Sequence, residues 1–208
     1  MKNTFKILIL ILFCSNSFSQ TIKPLSSFQN STTYFTEDIH PVYYYKDISN
    51  YFTPFLGQWK YVNGNKTFIL TLWKETKYPF YHNPDNLQYY SDVIFGHYKL
   101  IQDYGLATEQ LLYTSETTIG TTSQSWETIL VSDSTTPNEM SGIISDIHAT
   151  PLNPANYPKG LKGFFNLTIN SGTSSVTANM RITSDIGLRS TDQPFQFTIP
   201  TNVVLTKM

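Results

Sequence analysis

Four histidines, a scatter of carboxylates and an abundance of hydroxyls are the groups through which this chain could do chemistry. His40, His82, His97 and His148 never stand within five residues of one another, so no His-x-x-x-His pair begins a transition-metal site. No Gly-x-Ser-x-Gly elbow, glycine-rich phosphate loop or dinucleotide fingerprint occurs, so hydrolytic triads and nucleotide chemistry lack a local signature. Asp85, Asp92, Asp103, Glu109, Glu116, Glu127, Asp133, Glu139 and Asp146 could furnish the two carboxylates of a glycosidase, which must be held about 5 to 10 Å apart. Nothing in their spacing arranges such a pair, and the plain reading puts them in turns and at solvent-facing strand positions. The expectation is a non-enzymatic protein with no catalytic residue, metal or cofactor.

Rings are the other candidate chemistry. Tyr34, Phe35, Tyr43, Tyr44, Tyr45, Tyr51, Phe52 and Phe55 crowd together, interrupted by Pro41 and Pro54. Such a run is either a platform that stacks on sugar or lipid, or a strap whose rings plug a small barrel; the strap is the expectation. Trp73 and Trp126 fall on ambiguous sides of their strands, where a tryptophan can serve a glycan or protein surface. Trp59, Tyr61, Phe68, Leu70, Leu72, Tyr98 and Leu100 share inward faces by alternation and are the candidate lining of a small apolar ligand site.

These side chains must be positioned by strands. The run from Gln58 to Val62, the pair Asn63 and Gly64, and the run from Asn65 to Lys74 predict a hairpin with a two-residue turn, because Asn and Gly both tolerate the positive φ of a type I′ turn. That register sets Trp59 opposite Phe68 and Tyr61 opposite Lys66. It gathers Phe55, Trp59, Tyr61, Phe68, Leu70 and Leu72 on one face, against the more polar Gln58, Lys60, Thr67, Ile69, Thr71 and Trp73. A proline-marked loop is expected over 77–91. A strand follows over 92–102, with Gly96 either admitting a ring such as Trp59 or marking a bulge. Further strands are expected over 109–113, 126–131, 140–147, 164–170, 176–183, 194–199 and 203–207, the last paired within the sheet. The prolines of 148–162 mark a loop, and 114–125 reads as a long hairpin tip.

The composition agrees with strands. Alanine occurs only four times in 208 residues against 14 Tyr, 14 Phe and 27 Thr, which favours pleated half-buried strands over helices. The fold expected is all-β, an antiparallel up-and-down barrel of about eight to ten strands, with a sandwich as the second choice. A net charge of −1 supplies no field to hold a phosphate backbone, so nucleic acid is not an expected partner. Lys2 and Lys6, the apolar run from Ile7 to Phe13, and the small residues Ser17 and Ser19 follow the plan of a secretory signal peptide cut before Gln20. Phe13 is too bulky to precede a lipid-bearing cysteine, so Cys14 is expected to leave with the signal rather than anchor the protein. The expected organisation is a signal over 1–19, an extended aromatic-rich lead over 20–50 and a β-barrel domain over 51–208, with no transmembrane segment after signal removal.

Gly57 and Trp59 resemble the Gly-x-Trp signature of the lipocalins, in which the tryptophan closes one end of an up-and-down barrel. The wider set is Tyr45-Lys46-Asp47, Pro54 to Tyr61, Thr67 to Lys74, the spacing Asp92, Ile94, Gly96, Tyr98, and Ile199 to Lys207. Together these resemble a family of exported proteins from Bacteroidetes known as a domain of unknown function, from about Tyr43 onward. The Ser/Thr-rich region from Thr114 to Asn138 departs most. The resemblance implies a small secreted or envelope-associated β protein and carries no activity or site residue with it.

The expected function is an exported β-barrel module, secreted or in the periplasm or cell envelope, that either holds a small apolar molecule or packs its interior solid. Its cavity would be small and would open at the end away from Trp59. The alternative is a cell-surface carbohydrate-binding or adhesive module using Tyr43, Tyr44, Tyr45, Trp73 or Trp126. N-terminal sequencing of the exported protein is expected to begin at Gln20; acylated Cys14 would overturn that cut.

Overall fold

The computed structural model describes residues 21–28, 43–83, 86–116, 129–149, 161–170, 176–184 and 196–208. The expected signal with Cys14, the rings Tyr34 and Phe35, His40, and Trp126 lie outside these residues. The described chain is all-β, with two single 3-10 turns at Leu25–Ser27 and Thr53–Phe55. Its strands are β1 (Ile22–Pro24), β2 (Tyr43–Lys46), β3 (Gly57–Asn63), β4 (Lys66–Asn83), β5 (Asn86–Gln102), β6 (Gln110–Thr114), β7 (Ile129–Thr136), β8 (Glu139–Asp146), β9 (Leu161–Asn170), β10 (Thr177–Ser184) and β11 (Asn202–Lys207). Among the described residues no helix is long and apolar enough to cross a membrane.

The strands form one sheet in the order β1-β2-β5-β4-β3-β11-β10-β9-β8-β7, with β6 also on β5. The ladders β1–β2 and β2–β5 are parallel, and the others antiparallel. This is not the plainly closed ring expected from turn spacing. One edge of β5 is divided among β2 at Tyr89–Ser91, β7 at Ile94–Gly96 and β6 at Lys99–Gln102, so β7 meets β5 through a short central ladder.

Alternation along the strands places the core on one face. In β9 Leu161, Gly163, Phe165 and Leu167 are buried, and in β10 Ala178, Met180 and Ile182, while Lys162, Phe164, Asn179 and Arg181 face outward. Phe68, Leu70, Leu72, Ile94, Tyr98, Met140, Ile144 and Leu205 complete the same cluster. β11 lies between β10 and β3, and the Met208 amide donates to the Gln58 carbonyl at 2.9 Å.

The β3–β4 hairpin keeps its expected faces but not its expected register. Tyr61 stands opposite Phe68, Trp59 opposite Leu70 and Asn63 opposite Lys66, which moves the two-residue turn to Gly64 and Asn65. Gly64 has φ +61° whereas Asn65 is not at positive φ, the arrangement of a type II′ turn, which needs glycine only at its first central position. The shift is by two residues and strands repeat every two, so every side chain stays on its side.

The loop expected over 77–91 is instead the far arm of a β4–β5 hairpin. Tyr78, Phe80, Tyr89 and Phe95 join their rings along it, with Phe80 and Tyr89 stacked at 4.8 Å, while register shifts after Glu75 and Phe80 accommodate Pro79. Gly96 sits in regular ladder between Leu72 and Ile129, level with neither a bulge nor Trp59, whose row contains Leu70 and Tyr98. The strand expected over 194–199 is absent from its described part, because the amides of Thr198 and Ile199 donate to the Asp146 carboxylate rather than to a neighbouring strand.

Trp59 is fully buried, with its indole N–H donating to the Phe55 carbonyl at 2.7 Å, whereas Trp73 is half-buried. Trp59→Ala is expected to cost about 3–5 kcal/mol and Trp73→Ala about 1 kcal/mol in denaturant unfolding. Equal small losses at the two positions would contradict this packing.

Candidate functional site

The end of the sheet nearest Trp59 is plugged. Phe52 and Phe55, held by the 3-10 turn around Pro54, are fully buried beside Trp59, and Lys207 Nζ lies 5.3 Å from the indole centroid while donating to the Pro54 carbonyl. Gly57, which follows the plug, has φ +106°, a conformation glycine alone adopts easily.

A buried polar cluster fastens this segment. Asp92 on β5 and Asp47 after β2 each lie 3.1 Å from Lys74 Nζ on β4. Asp92 Oδ1 accepts from the Tyr44 hydroxyl at 2.5 Å and the Lys77 amide at 3.2 Å, and its Oδ2 accepts from the Asp47 amide at 3.1 Å. Asp47 in turn accepts from the amides of Tyr51 and Phe52. Lys77 takes φ +57° at the β4 irregularity, which turns its amide toward Asp92. Burial alone would raise the Asp92 carboxyl, but the hydrogen bonds from Tyr44, Asp47, Lys74 and Lys77 reverse that and hold it below the ordinary carboxylate range. Burial and the Asp92 bond push the Tyr44 phenol well above its ordinary value, so its proton stays. Asp92 is therefore neither in a turn nor solvent-facing, and all four oxygens of the two carboxylates are engaged, leaving none to act as a free base. Among the described residues no group of three His, Cys, Asp or Glu is placed to hold a metal ion.

A second fully buried carboxylate works nearer the opposite end. Asp146, closing β8, accepts from the amides of His148, Ala149, Thr198 and Ile199 and from the Thr198 hydroxyl. Beside it the Tyr98 hydroxyl donates to the Ser145 carbonyl and accepts from the Ile147 amide, each at 3.0 Å. The segment pinned by Asp146 also packs Phe197 onto Gly163, where an added Cβ would come within 2.6 Å of the Phe197 ring.

Beyond Thr198 lies a pocket of about 380 Å³ at the β3–β4 turn end, away from the Trp59 plug. Phe68, Leu100, Ile199 and Val203 give it apolar walls, and Tyr61, Asn63, Lys66 and Tyr113 bring polar groups to it. The Tyr113 hydroxyl is buried and has no hydrogen-bond partner among the described residues. Burial and the nearby Asp146 charge push its phenol up to about 12, so it remains a donor through the neutral range.

Of the candidate lining residues, Tyr61, Phe68 and Leu100 border this pocket, whereas Trp59, Leu70, Leu72 and Tyr98 are buried in the core below it. Tyr44 and Tyr45 are buried as well, and Tyr45 packs edge-on against Phe28 and Tyr89, so these two rings belong to the strap rather than to an exposed platform. Sequence reading missed Asp47, Asp92 and Asp146 as buried anchors, and Tyr113 and Ile199 as pocket walls. Each of Asp92 and Asp146 follows a serine and precedes a β-branched apolar residue, Val93 and Ile147, which is too little to mark it as buried.

The chain matches the family of unknown function DUF6705 over residues 1–208 and belongs to it. No curated protein and no solved structure matches the chain.

Because the Asp92 value is lowered on folding, its contribution to stability is complete above the unfolded-state value near 4 and is lost as pH falls through the lower folded value. Amide exchange in Tyr44–Phe52 is expected to accelerate in that acid window before exchange in β9 and β10. Asp92→Asn, which leaves Lys74 with Asp47 as its one charged partner, should cost about 1.5–3 kcal/mol and remove that acid dependence. Unchanged exchange in the strap would refute the anchoring role.

Proposed function

We propose that this DUF6705 chain is an exported, non-enzymatic module whose sheet encloses its core like a barrel and binds a small, mainly apolar molecule in the pocket between Tyr61, Leu100 and Val203. The observation that carries this reading is a hollow with apolar walls and one buried donor, the Tyr113 hydroxyl, which has no hydrogen-bond partner among the described residues. At about 380 Å³ it exceeds the ~300 Å³ lower bound for small-molecule sites. A molecule with an apolar body and one oxygen acceptor would satisfy both the walls and that donor.

The barrel-like reading is supported by β7, which ends the strand path and returns to pair with β5. The apolar run from Ile7 to Phe13 and the small residues before Gln20 support export to the periplasm, envelope or medium. Complete engagement of the Asp47 and Asp92 oxygens favours an anchoring role over catalysis at that cluster.

Titration with the fluorescent fatty acid cis-parinaric acid tests the proposal. Saturable binding in the range of about 1–10 μM is expected, with Leu100→Trp, which fills the hollow, weakening it at least about tenfold. Tyr113→Phe should weaken it about fivefold by removing one hydrogen bond. Absence of saturable binding, or binding indifferent to Leu100→Trp, would overturn the assignment.

A further inference from the structure

The outward side of the β3–β4–β5 layer carries a second hollow of about 370 Å³, separated from the mouth pocket by the sheet itself. Gln58, Thr71 and His97 stand opposite one another as one row across three strands. Trp73 occupies the next row on one side, and Lys99, opposite Thr114 of β6, the next row on the other. These residues alternate with Leu70, Leu72 and Tyr98, whose side chains fill the core, so the hollow lies on the outer face. Glu116 and Tyr98, the latter with its side chain buried in the core, complete the lining.

The residue types are unusual for an outer sheet face. Trp73 is half-buried and flanked by His97 at 5.0 Å and Phe95 at 6.4 Å, so the indole is held in place by ring neighbours before any ligand arrives. Around it stand an amide, an ammonium, a carboxylate and a threonine hydroxyl. The exposed Gln58 amide reaches Thr71 Oγ1 only at 3.4 Å, a long bond that a better partner could replace. Such a site suits neither a hydrocarbon, which would strand Lys99 and Glu116, nor a phosphate, which Glu116 would repel. A sugar ring fits both halves: its C–H face lies on an indole, and its hydroxyls, each donor and acceptor, need mixed partners at the edge.

We propose that this outer hollow binds a neutral oligosaccharide, with Trp73 as the stacking surface and Gln58, Lys99 and Glu116 as hydrogen-bonding partners. The site is independent of the mouth pocket, and either can exist without the other.

The test titrates the full chain with xylohexaose, laminarihexaose and mannohexaose in turn, reading calorimetric heat and saturation-transfer NMR. At least one hexaose is expected to bind saturably below about 1 mM. Trp73→Ala should weaken that binding at least about tenfold, Trp73→Phe less, and Gln58→Ala about threefold. Thermal melts of the variants confirm folding, and Leu100→Trp in the mouth pocket should leave sugar binding unchanged. Failure of all three hexaoses to bind the folded chain, or binding that survives Trp73→Ala in full, would overturn the proposal.

Discussion

A carboxylate taken wholly out of water must be answered oxygen by oxygen, and the plugged end of this protein is arranged around that demand at Asp92. Its partners come from β2, from the turn after it and from two positions on β4, so satisfying one side chain brings together segments far apart in the chain. The parallel pairing of β2 with β5, the burial of Phe52 and Phe55, and the closure over Trp59 all follow from that meeting point. A hydrophobic plug alone would leave the strap free to slide; the hydrogen bonds give it one position.

Asp146 repeats the device nearer the other end with a different result. There the carboxylate collects backbone amides from 148–149 and 198–199, so a stretch with strand-like composition becomes a wall of the mouth pocket. One buried acid closes an end and the other frames an opening. Between them the core is continuous, and Tyr98, stacked on Phe68 and bonded to the backbone beside Asp146, links its lower layers to the pocket floor.

The alternation of apolar residues made the inward faces of β3, β4, β5, β9 and β10 legible, because that pattern survives any even shift in register. The register itself depended on whether Asn63-Gly64 or Gly64-Asn65 formed the turn, a choice between two glycine-compatible geometries that local composition does not settle. Pro79 and the polar residues near it read as a loop, yet ring packing along the outer arm and the added β2 ladder compensate for the missing amide. Asp92 and Asp146 look like ordinary surface acids in a line of letters; only the approach of distant backbone amides makes them interior. Tyr61, Phe68 and Leu100, expected by alternation to line a cavity opening away from Trp59, do border the mouth pocket, whereas Tyr113 and Ile199 arrive from segments with no sequence signal linking them to Phe68.

The position of β11 bears on how the molecule comes into being. It stands between β10 and β3 in the middle of the strand order, although it is the last strand in chain order, and its Lys207 reaches over Trp59. Until residues 202–207 have been synthesised, β3 lacks its second neighbour and the Trp59 plug lacks its cation. The long-range ladders therefore cannot mature progressively behind a growing chain. Pairing of β3 on its second edge and closure of the Trp59 plug are late events, set by the arrival of residues 202–207 rather than by the hairpins that precede them.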